Sequence, residues 1–582
     1  MTKTIPLPIR IAHPPKPQLE HLDDAYFEFL VKCGCQGLYL QDSPFDKFTG
    51  NHGAFKKQFH LIYLHDIAYG PERQAYVDYI NEVCQRAARH GLETHLCCWE
   101  PRLPFNAWGE TPAAWRGRGG FYYAGHMNVT SFCWSEPEAV AYWKQMARDA
   151  FAALPGIAGV HLGVVDNEAN FCDETCPKCG GRTQAQQLED IYATFAEIKA
   201  SRPKFRIAVY DWWLPPALLE RLPAIVGHDA LIIGRSSQGH SQPPLLGEVE
   251  DMTTIFSGCG PGILEKKKKA DRLGLRLVDM PAWSHPNEAW MLPPPPDPLY
   301  AVEKLNALRA LGAVGWYDFD CGAIEPGAIA EAIMVWSADP DAAPERLVER
   351  VLEGIFGEHA KAATPAYEKF RQAKIQFPIA YHDPVVPSFS GRCLCLGNVL
   401  FGPFRPEDFR FLDTKHCFSW FAPFNLILPS SLPVILPRVE AVQNGMREAF
   451  LTIDGVPVSG AAARRERETF EVHYRHYRAI WNYLRLGQAR LDRLERRLEG
   501  DAYAERIREL AADEQENLAA TEAWCKRNPG AIFNPCHDLL GHLEEAWPNL
   551  DFRNDLFGPK RASLVSLVSG TNHFSPVGGG IK

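Results

Sequence analysis

The sequence predicts a (β/α)8 barrel, an α/β TIM-barrel fold, followed by a mainly α-helical C-terminal domain, on three observations. Strand-like apolar runs recur through the first half of the chain, helical patterns separate them, and strand signals become sparse after Ala338. The eight runs are Ile9–His13, Gly37–Gln41, Glu93–Trp99, Gly159–Val165, Phe205–Tyr210, Ala230–Gly234, Leu275–Met280 and Ala313–Tyr317. Before the third run, Ala75–His90 carries Val77, Ile80, Val83 and Ala87 at helical spacing, and Gly91 supplies a C-terminal stop. Before the fourth, Ser135-Glu-Pro-Glu opens a helix with Ser135 as N-cap and Pro137 in the first turn, running to about Leu154.

A chain of 582 residues is too long for one ordinary core, so residues 1–338 are assigned to the barrel and 339–582 to the helical domain. The second part opens with an amphipathic helix, Pro344–Phe356, and Arg464–Lys526 alternates Arg and Glu with Leu, Tyr and Ala like helices of a bundle. Between them, Phe377–Pro437 reads as irregular ordered structure. The Lys266–Lys269 run reads as a solvated face and Pro293–Pro296 as a stiff loop after the seventh strand.

Apolar residues make up 46% of the chain, aromatics 11% and charged residues 23%, the profile of a soluble globular protein. The net charge of −10 is modest and the basic residues are scattered, which argues against a nucleic-acid partner. The opening Met1-Thr-Lys-Thr-Ile-Pro-Leu-Pro lacks the apolar core of a secretory signal, and no run is long enough to span a bilayer. The expectation is a cytoplasmic protein with no membrane partner. In that compartment most of the 16 cysteines are reduced core residues, with a few available to a metal.

In such a barrel the chemistry sits where strands end and βα loops begin. Six strand ends are rich in polar and aromatic residues: Cys97-Cys-Trp99-Glu100-Pro, Asp166-Asn-Glu168, Tyr210-Asp211-Trp212-Trp213, Gly234-Arg235-Ser-Ser, Asp279-Met-Pro-Ala-Trp283-Ser-His285 and Trp316-Tyr317-Asp318. Residues two apart in a strand point to one side, with alpha carbons roughly 6.5 Å apart, so Asp166 and Glu168 can address one group of substrate atoms. Glycoside cleavage needs a proton for the leaving oxygen and stabilisation of positive charge at the anomeric carbon, and two carboxylates in different environments supply both. The plainer alternative makes one of them a helix cap or the partner of an arginine such as Arg235. Trp99, Trp212, Trp213, Trp283 and Trp316 are candidates to stack on a sugar face, with core filling as the alternative for each.

The segment His161-Leu-Gly-Val-Val-Asp166-Asn-Glu168 resembles the His-Ile/Leu-Gly-Gly-Asp-Glu motif of family 20 β-N-acetylhexosaminidases, with the second glycine replaced and Asn167 between the acids. The Asp-x-Glu spacing looks like the end of the chitinase motif, and Trp316-Tyr-Asp is similar to the family 20 Trp-Tyr-Leu-Asp stretch. Phe132-Cys-Trp-Ser-Glu-Pro-Glu, Leu154-Pro-Gly-Ile-Ala-Gly-Val, Trp336-Ser-Ala-Asp-Pro and Phe356-Gly look like α-glucuronidase and hexosaminidase-like barrels. The resemblance implies an exo-acting retaining hydrolase of a β-linked N-acetylhexosamine that uses the substrate's acetamido group as nucleophile. Glu168 is then the acid/base, Asp166 orients the acetamido group and Tyr317 hydrogen-bonds it. For another sugar with a carboxylate nucleophile, Asp211, Asp279 and Asp318 are the first candidates. For a uronic or sialic acid, Arg102, Arg235 and His285 would pair with the substrate carboxylate. A barrel that binds sugar without cleaving it is the non-enzymatic alternative.

Cys172-Asp-Glu-Thr-Cys176-Pro-Lys-Cys179-Gly-Gly has a knuckle-like spacing that can present three thiolates to one tetrahedral Zn2+. Cys133, in the loop after the third strand, is the preferred fourth ligand over Cys98 or Cys259, and such a closed site is structural. Three reduced cysteines without metal are the alternative. The helical region is expected either to form a homodimer interface or to close over the cleft.

Overall fold

The computed structural model describes residues 6–14, 18–40, 66–98, 112–117, 121–123, 127–129, 133–163, 172, 175–211, 214–241, 249, 253–283, 292–318, 324–378, 402–406, 432–529 and 555–569. Of the eight expected strands, seven form within their runs, and the fourth, expected over Gly159–Val165, is shifted to Ile157–Leu162 and so ends before Asp166 and Glu168. The strands are β1 (Ile9–Ala12), β2 (Gly37–Leu40), β3 (Glu93–Cys98), β6 (Ile157–Leu162), β7 (Arg206–Tyr210), β8 (Leu231–Gly234), β9 (Arg276–Asp279) and β10 (Gly315–Tyr317), and they close a parallel barrel in the order β1-β10-β9-β8-β7-β6-β3-β2. A small antiparallel hairpin, β4 (Phe121–Tyr123) and β5 (Met127–Val129), stands apart from it within the connection that follows β3.

Closure brings β10 against β1, where Gly315 sits opposite Ile9. A Cβ at Gly315 would lie 1.7 Å from the Ile9 carbonyl oxygen, so only glycine allows this approach. On the outside of β1, buried Arg10 donates to the carbonyls of Leu7 (3.0 Å), Cys33 (3.2 Å) and Pro6 (2.9 Å) and to Ser337 Oγ (2.6 Å). It thereby ties the first strand to the last barrel helix.

The strands alternate between two cores, as their period of two requires. Ile9, Ile11, Tyr39, Cys97, Ala208, Tyr210, Leu231, Ile233, Val278, Met280 and Tyr317 fill the lumen. Their neighbours, such as Leu38, Leu96, Ile207, Ile232, Leu277 and Trp316, pack outward under the helices. Those helices are α1 (Asp24–Lys32), α2 (Asp66–Arg89), α3 (Pro137–Ala153), α4 (Gln184–Ser201), α5 (Pro216–Val226), α6 (Pro261–Arg272), α7 (Pro298–Leu311) and α8 (Ala328–Ala338). Helix α2 begins well before Ala75. The N-cap of α3 is Glu136, one residue later than expected, and it makes no side-chain cap; the Ser135 hydroxyl turns instead to Cys179, 3.2 Å from its sulfur.

Helices follow the barrel: α9 (Pro344–Phe356), α10 (Ala360–Lys374), α11 (Leu432–Asp454), α12 (Ala461–Leu494), α13 (Gly500–Arg527) and α14 (Gly558–Ser569). Of the stretch expected to be irregular, Leu432–Pro437 lies inside α11, with Pro437 tolerated in its second turn, and most of the remainder lies outside the described residues. Among the described residues no helix is long and apolar enough to cross a membrane.

Buried polar contacts join these helices to the barrel. Glu466 of α12 accepts from the Ala328 amide at the start of α8 (2.9 Å) and from the Tyr367 hydroxyl of α10 (2.8 Å). Asp297 caps α7 through the Tyr300 amide (3.0 Å) and pairs with Lys374 (2.6 Å) and Arg371 (3.2 Å) of α10. Burial alone would raise the Asp297 carboxyl, but the two cations hold it below its ordinary value. Asp297→Ala is expected to cost roughly 3–5 kcal/mol, because it leaves the buried Lys374 charge without its carboxylate. Urea denaturation at neutral pH measures this, and a loss under about 1 kcal/mol would show that the clasp is dispensable.

Candidate active site

The C-terminal end of the lumen is lined by aromatic and imidazole rings that alternate out of the strands. His13 follows β1, 4.9 Å between ring centroids from Tyr39 of β2. His161 of β6 meets Tyr39 (5.3 Å), Tyr210 of β7 (5.8 Å) and Tyr317 of β10 (5.7 Å), each edge-on. His95 of β3 completes the group: its Nε2 faces Glu93 (3.2 Å), which also pairs with Arg206 (2.9 Å), while its Nδ1 lies 2.9 Å from the Tyr317 hydroxyl. With Nε2–H donated to the Glu93 carboxylate, Nδ1 is the acceptor and Tyr317 the donor.

The Tyr317 side chain, expected to hydrogen-bond a substrate acetamido group, is fully buried and directs its proton to His95 within the lumen network. Burial also raises its hydroxyl above the ordinary value, which keeps it a donor.

His161 is the electrostatic anomaly of the lumen. It is buried, and neither ring nitrogen has a hydrogen-bond partner among the described residues. Burial first, then the neighbouring His95 and His13, push it down from 6.5 to about 3, so it is neutral in the folded protein. Between those values the unfolded chain binds a proton that the folded one refuses. The stability His161 contributes is therefore complete above its unfolded value of 6.5 and declines as pH falls toward about 3, by about 1.4 kcal/mol per pH unit. His161→Phe is expected to flatten the acid limb of the stability curve. Urea midpoints at pH 7, 6 and 5 test this, and an unchanged slope would exclude His161 as its source.

Arg235, at the residue after β8, lies over the Tyr210 ring, 6.0 Å from its centroid, and brings a buried guanidinium to the same end of the lumen. The other rim candidates face the opposite side of the wall. Asp279 accepts from the Ser236 amide (2.7 Å) beside Lys304 of α7, and burial raises its carboxyl against the pull of that lysine. Asp211 is paired with Lys266 of α6, so the first lysine of the Lys266–Lys269 run is not on a solvated face. The Asp318 carboxylate takes the Ile324 amide (3.0 Å) and approaches that of His13 (3.5 Å), while its carbonyl accepts from the Tyr39 hydroxyl (3.0 Å). Trp316 and Trp283 are fully buried edge-on to each other (5.8 Å), and Trp283 meets Tyr300 of α7 (6.4 Å). Among the described residues these five side chains contact helices and loops packed on the barrel. Asp166, Glu168, Trp99, Glu100, Arg102, Trp212, Trp213 and His285 lie outside the described residues.

Sequence reasoning passed over His13, Tyr39 and His95 as lumen-lining groups. The available signal was a polar or aromatic residue at an inward position near each strand end, which a core residue mimics.

The four cysteines expected to act together do meet. Cys133, ahead of α3, and Cys172, Cys176 and Cys179, between β6 and α4, form a buried cluster of their own with all four sulfurs within 4.8 Å of one another.

No family model and no curated protein matches the chain. Among solved structures, it is similar to a GH138 enzyme targeting pectin rhamnogalacturonan II, with a TM-score of 0.51 and 11% identity over 90% of this chain and 62% of the other. The chain thus spans less than two thirds of that protein. A likeness at 11% identity is one of fold. An O-GlcNAc hydrolase from Thermobaculum terrenum, in mutant form, gives a TM-score of 0.38 at 10% identity, covering 97% of each chain. A chitobiase from Flavobacterium johnsoniae gives 0.36 at 11% identity, covering 88% of this chain and 78% of the other. Scores this low bear no weight for this chain.

Proposed function

We propose that the chain is a glycoside hydrolase working at the C-terminal mouth of the barrel, with Glu168 as acid/base and Asp166 as its partner. Strand β6 carries this reading: its His161 ring enters the lumen, and the chain leaves it at Leu162 to run directly into Gly163-Val-Val-Asp166-Asn-Glu168. Loops at this end of a parallel barrel are where such enzymes assemble their chemistry. The fold likeness to a GH138 enzyme is in keeping with that class of reaction.

The favoured substrate is a β-linked N-acetylhexosamine, cleaved from the chain end with retention. Its own acetamido oxygen attacks the anomeric carbon while Glu168 protonates the leaving oxygen, and Asp166 holds the acetamido N–H and balances the charge of the cyclised intermediate. A second reading, a uronic acid substrate, is favoured by Arg235, whose buried guanidinium at the lumen mouth suits a carboxylate.

A panel of nitrophenyl glycosides with a 2-acetamido group, a 2-hydroxyl or a C6 carboxylate separates these readings. Preferential hydrolysis of the acetamido sugar supports the first and of the uronide the second. A protein that binds these sugars but releases no nitrophenol overturns the enzyme reading.

A further inference from the structure

We propose that Cys133, Cys172, Cys176 and Cys179 bind one zinc ion in a closed tetrathiolate site that fastens the loop leaving β6 to the start of α3. The site is independent of the glycosidase reading, since it is recognised and tested without a substrate.

The geometry is that of a metal site and not of a disulfide. Four sulfurs at about 2.3 Å from one zinc stand about 3.8 Å apart from each other in a tetrahedron. Cys133 Sγ lies 3.5 Å from Cys179 Sγ and 3.9 Å from Cys176 Sγ, and none of the four cysteines is in a disulfide. A disulfide needs about 2.05 Å and joins only two sulfurs. Here four converge from two separate segments.

The loop has little apolar packing of its own, although Arg182 donates to the Trp134 carbonyl (2.6 Å) and pairs with Asp190 (2.7 Å) and Lys178 pairs with Glu136. From Thr175 to Thr183 the buried residues are Cys176 and Cys179; Thr175, Pro177, Lys178, Gly180, Gly181 and Thr183 are exposed and Arg182 is half-buried. Apolar burial therefore cannot hold this segment in place. Metal–sulfur bonds can, as in small domains that fold around zinc.

Hydrogen-bond donors lie around the sulfurs, while burial keeps the Cys133 thiol protonated in the absence of metal. The backbone amides of Cys179 and Lys178 hydrogen-bond to the Cys176 sulfur, and that of Ser135 to the Cys133 sulfur. The Ser135 hydroxyl stands 3.2 Å from Cys179 Sγ and becomes a donor once that sulfur is ionised. Gln187 of α4 clasps Cys172 from both sides, accepting from its amide (2.9 Å) and donating to its carbonyl (3.0 Å). Such partners orient ligands around a metal. On binding, each thiol loses its proton to solvent as its Zn–S bond forms, giving a centre of net charge −2 with Lys178 and Arg182 on the same loop.

Four closed ligands leave no open position, so the ion is structural. Its place in the chain is close to the proposed acid pair: β6 ends at Leu162, Cys172 follows it by ten residues, and the sequence between them contains Asp166 and Glu168.

The test is elemental analysis of the full chain purified under reducing conditions without added metal. One zinc per chain is expected, retained by Cys259→Ser and reduced below stoichiometry by Cys133→Ser and by Cys179→Ser. Because unfolding of those two variants would also release zinc, cobalt exchange into the wild type gives a second readout: intense visible and near-ultraviolet bands of tetrahedral thiolate coordination. Wild-type protein with no stoichiometric metal, with iron in its place, or with these cysteines in disulfides overturns the proposal. So does zinc that stays at one per chain when Cys133 is replaced.

Discussion

Glu168→Gln is expected to lower turnover by a factor on the order of 10³ or more, with fold and ligand binding retained, because the amide keeps the shape of the carboxyl but cannot donate the proton that the leaving oxygen requires. The loss should shrink for an activated aryl leaving group, which departs with little protonation, and remain full for a natural glycoside. The dependence on leaving group separates loss of the acid from general damage, which would slow both substrates alike. Melting temperature and affinity for a product sugar check that the variant is folded. Wild-type rates on a natural glycoside would remove Glu168 from the mechanism and leave the acid to be found elsewhere on the rim.

Asp166→Asn is expected to reduce turnover by a factor on the order of 10² or more, comparable to removing one preorganised electrostatic partner of the transition state. If the acetamido group is the nucleophile, Asp166 interacts most strongly as positive charge grows on the closing ring, so its loss should appear in kcat more than in KM. A thiazoline analogue of the cyclised intermediate should accordingly inhibit the wild type far better than the variant. Failure of the thiazoline on an active enzyme that cleaves 2-hydroxy sugars would exclude the acetamido route. A carboxylate nucleophile would then be required, and the search would move to Asp211, which pairs with Lys266, Asp279, which accepts from the Ser236 amide, and Asp318, which accepts from the Ile324 amide.

The zinc clamp and the acid pair make distinguishable claims. Slow inactivation by a chelator, accompanied by loss of thermal stability, would fit an ion that orders the loop, whereas Glu168→Gln should leave metal content unchanged. The same separation holds for His161→Phe and Asp297→Ala, which act on stability through the lumen and through the clasp between α7 and α10.

Local pattern determined much of this protein. Alternating apolar runs and helical spacing are short-range properties, so all eight barrel strands, the helix Pro344–Phe356 and the helical character of the last third were legible in the sequence. The cysteine spacing from Cys172 to Cys179 was legible for the same reason; Cys133 was expected beside them because its loop leaves the same rim, and the fold brings the four sulfurs together. Tertiary structure alone decided which side of the barrel wall each rim residue faces. Tyr317 and Trp316 are adjacent, yet one enters the lumen to meet His95 and the other packs outward on Trp283. Asp279 similarly turns to the helices while Met280 fills the lumen. The reason is the two-residue period of a strand: a shift of one position reverses inside and outside, and register in a closed sheet is set by contacts between segments distant in the chain. Lys266 likewise became a half-buried partner of Asp211 only because α6 brings it to the residue that follows β7, a neighbourhood that no window of sequence contains.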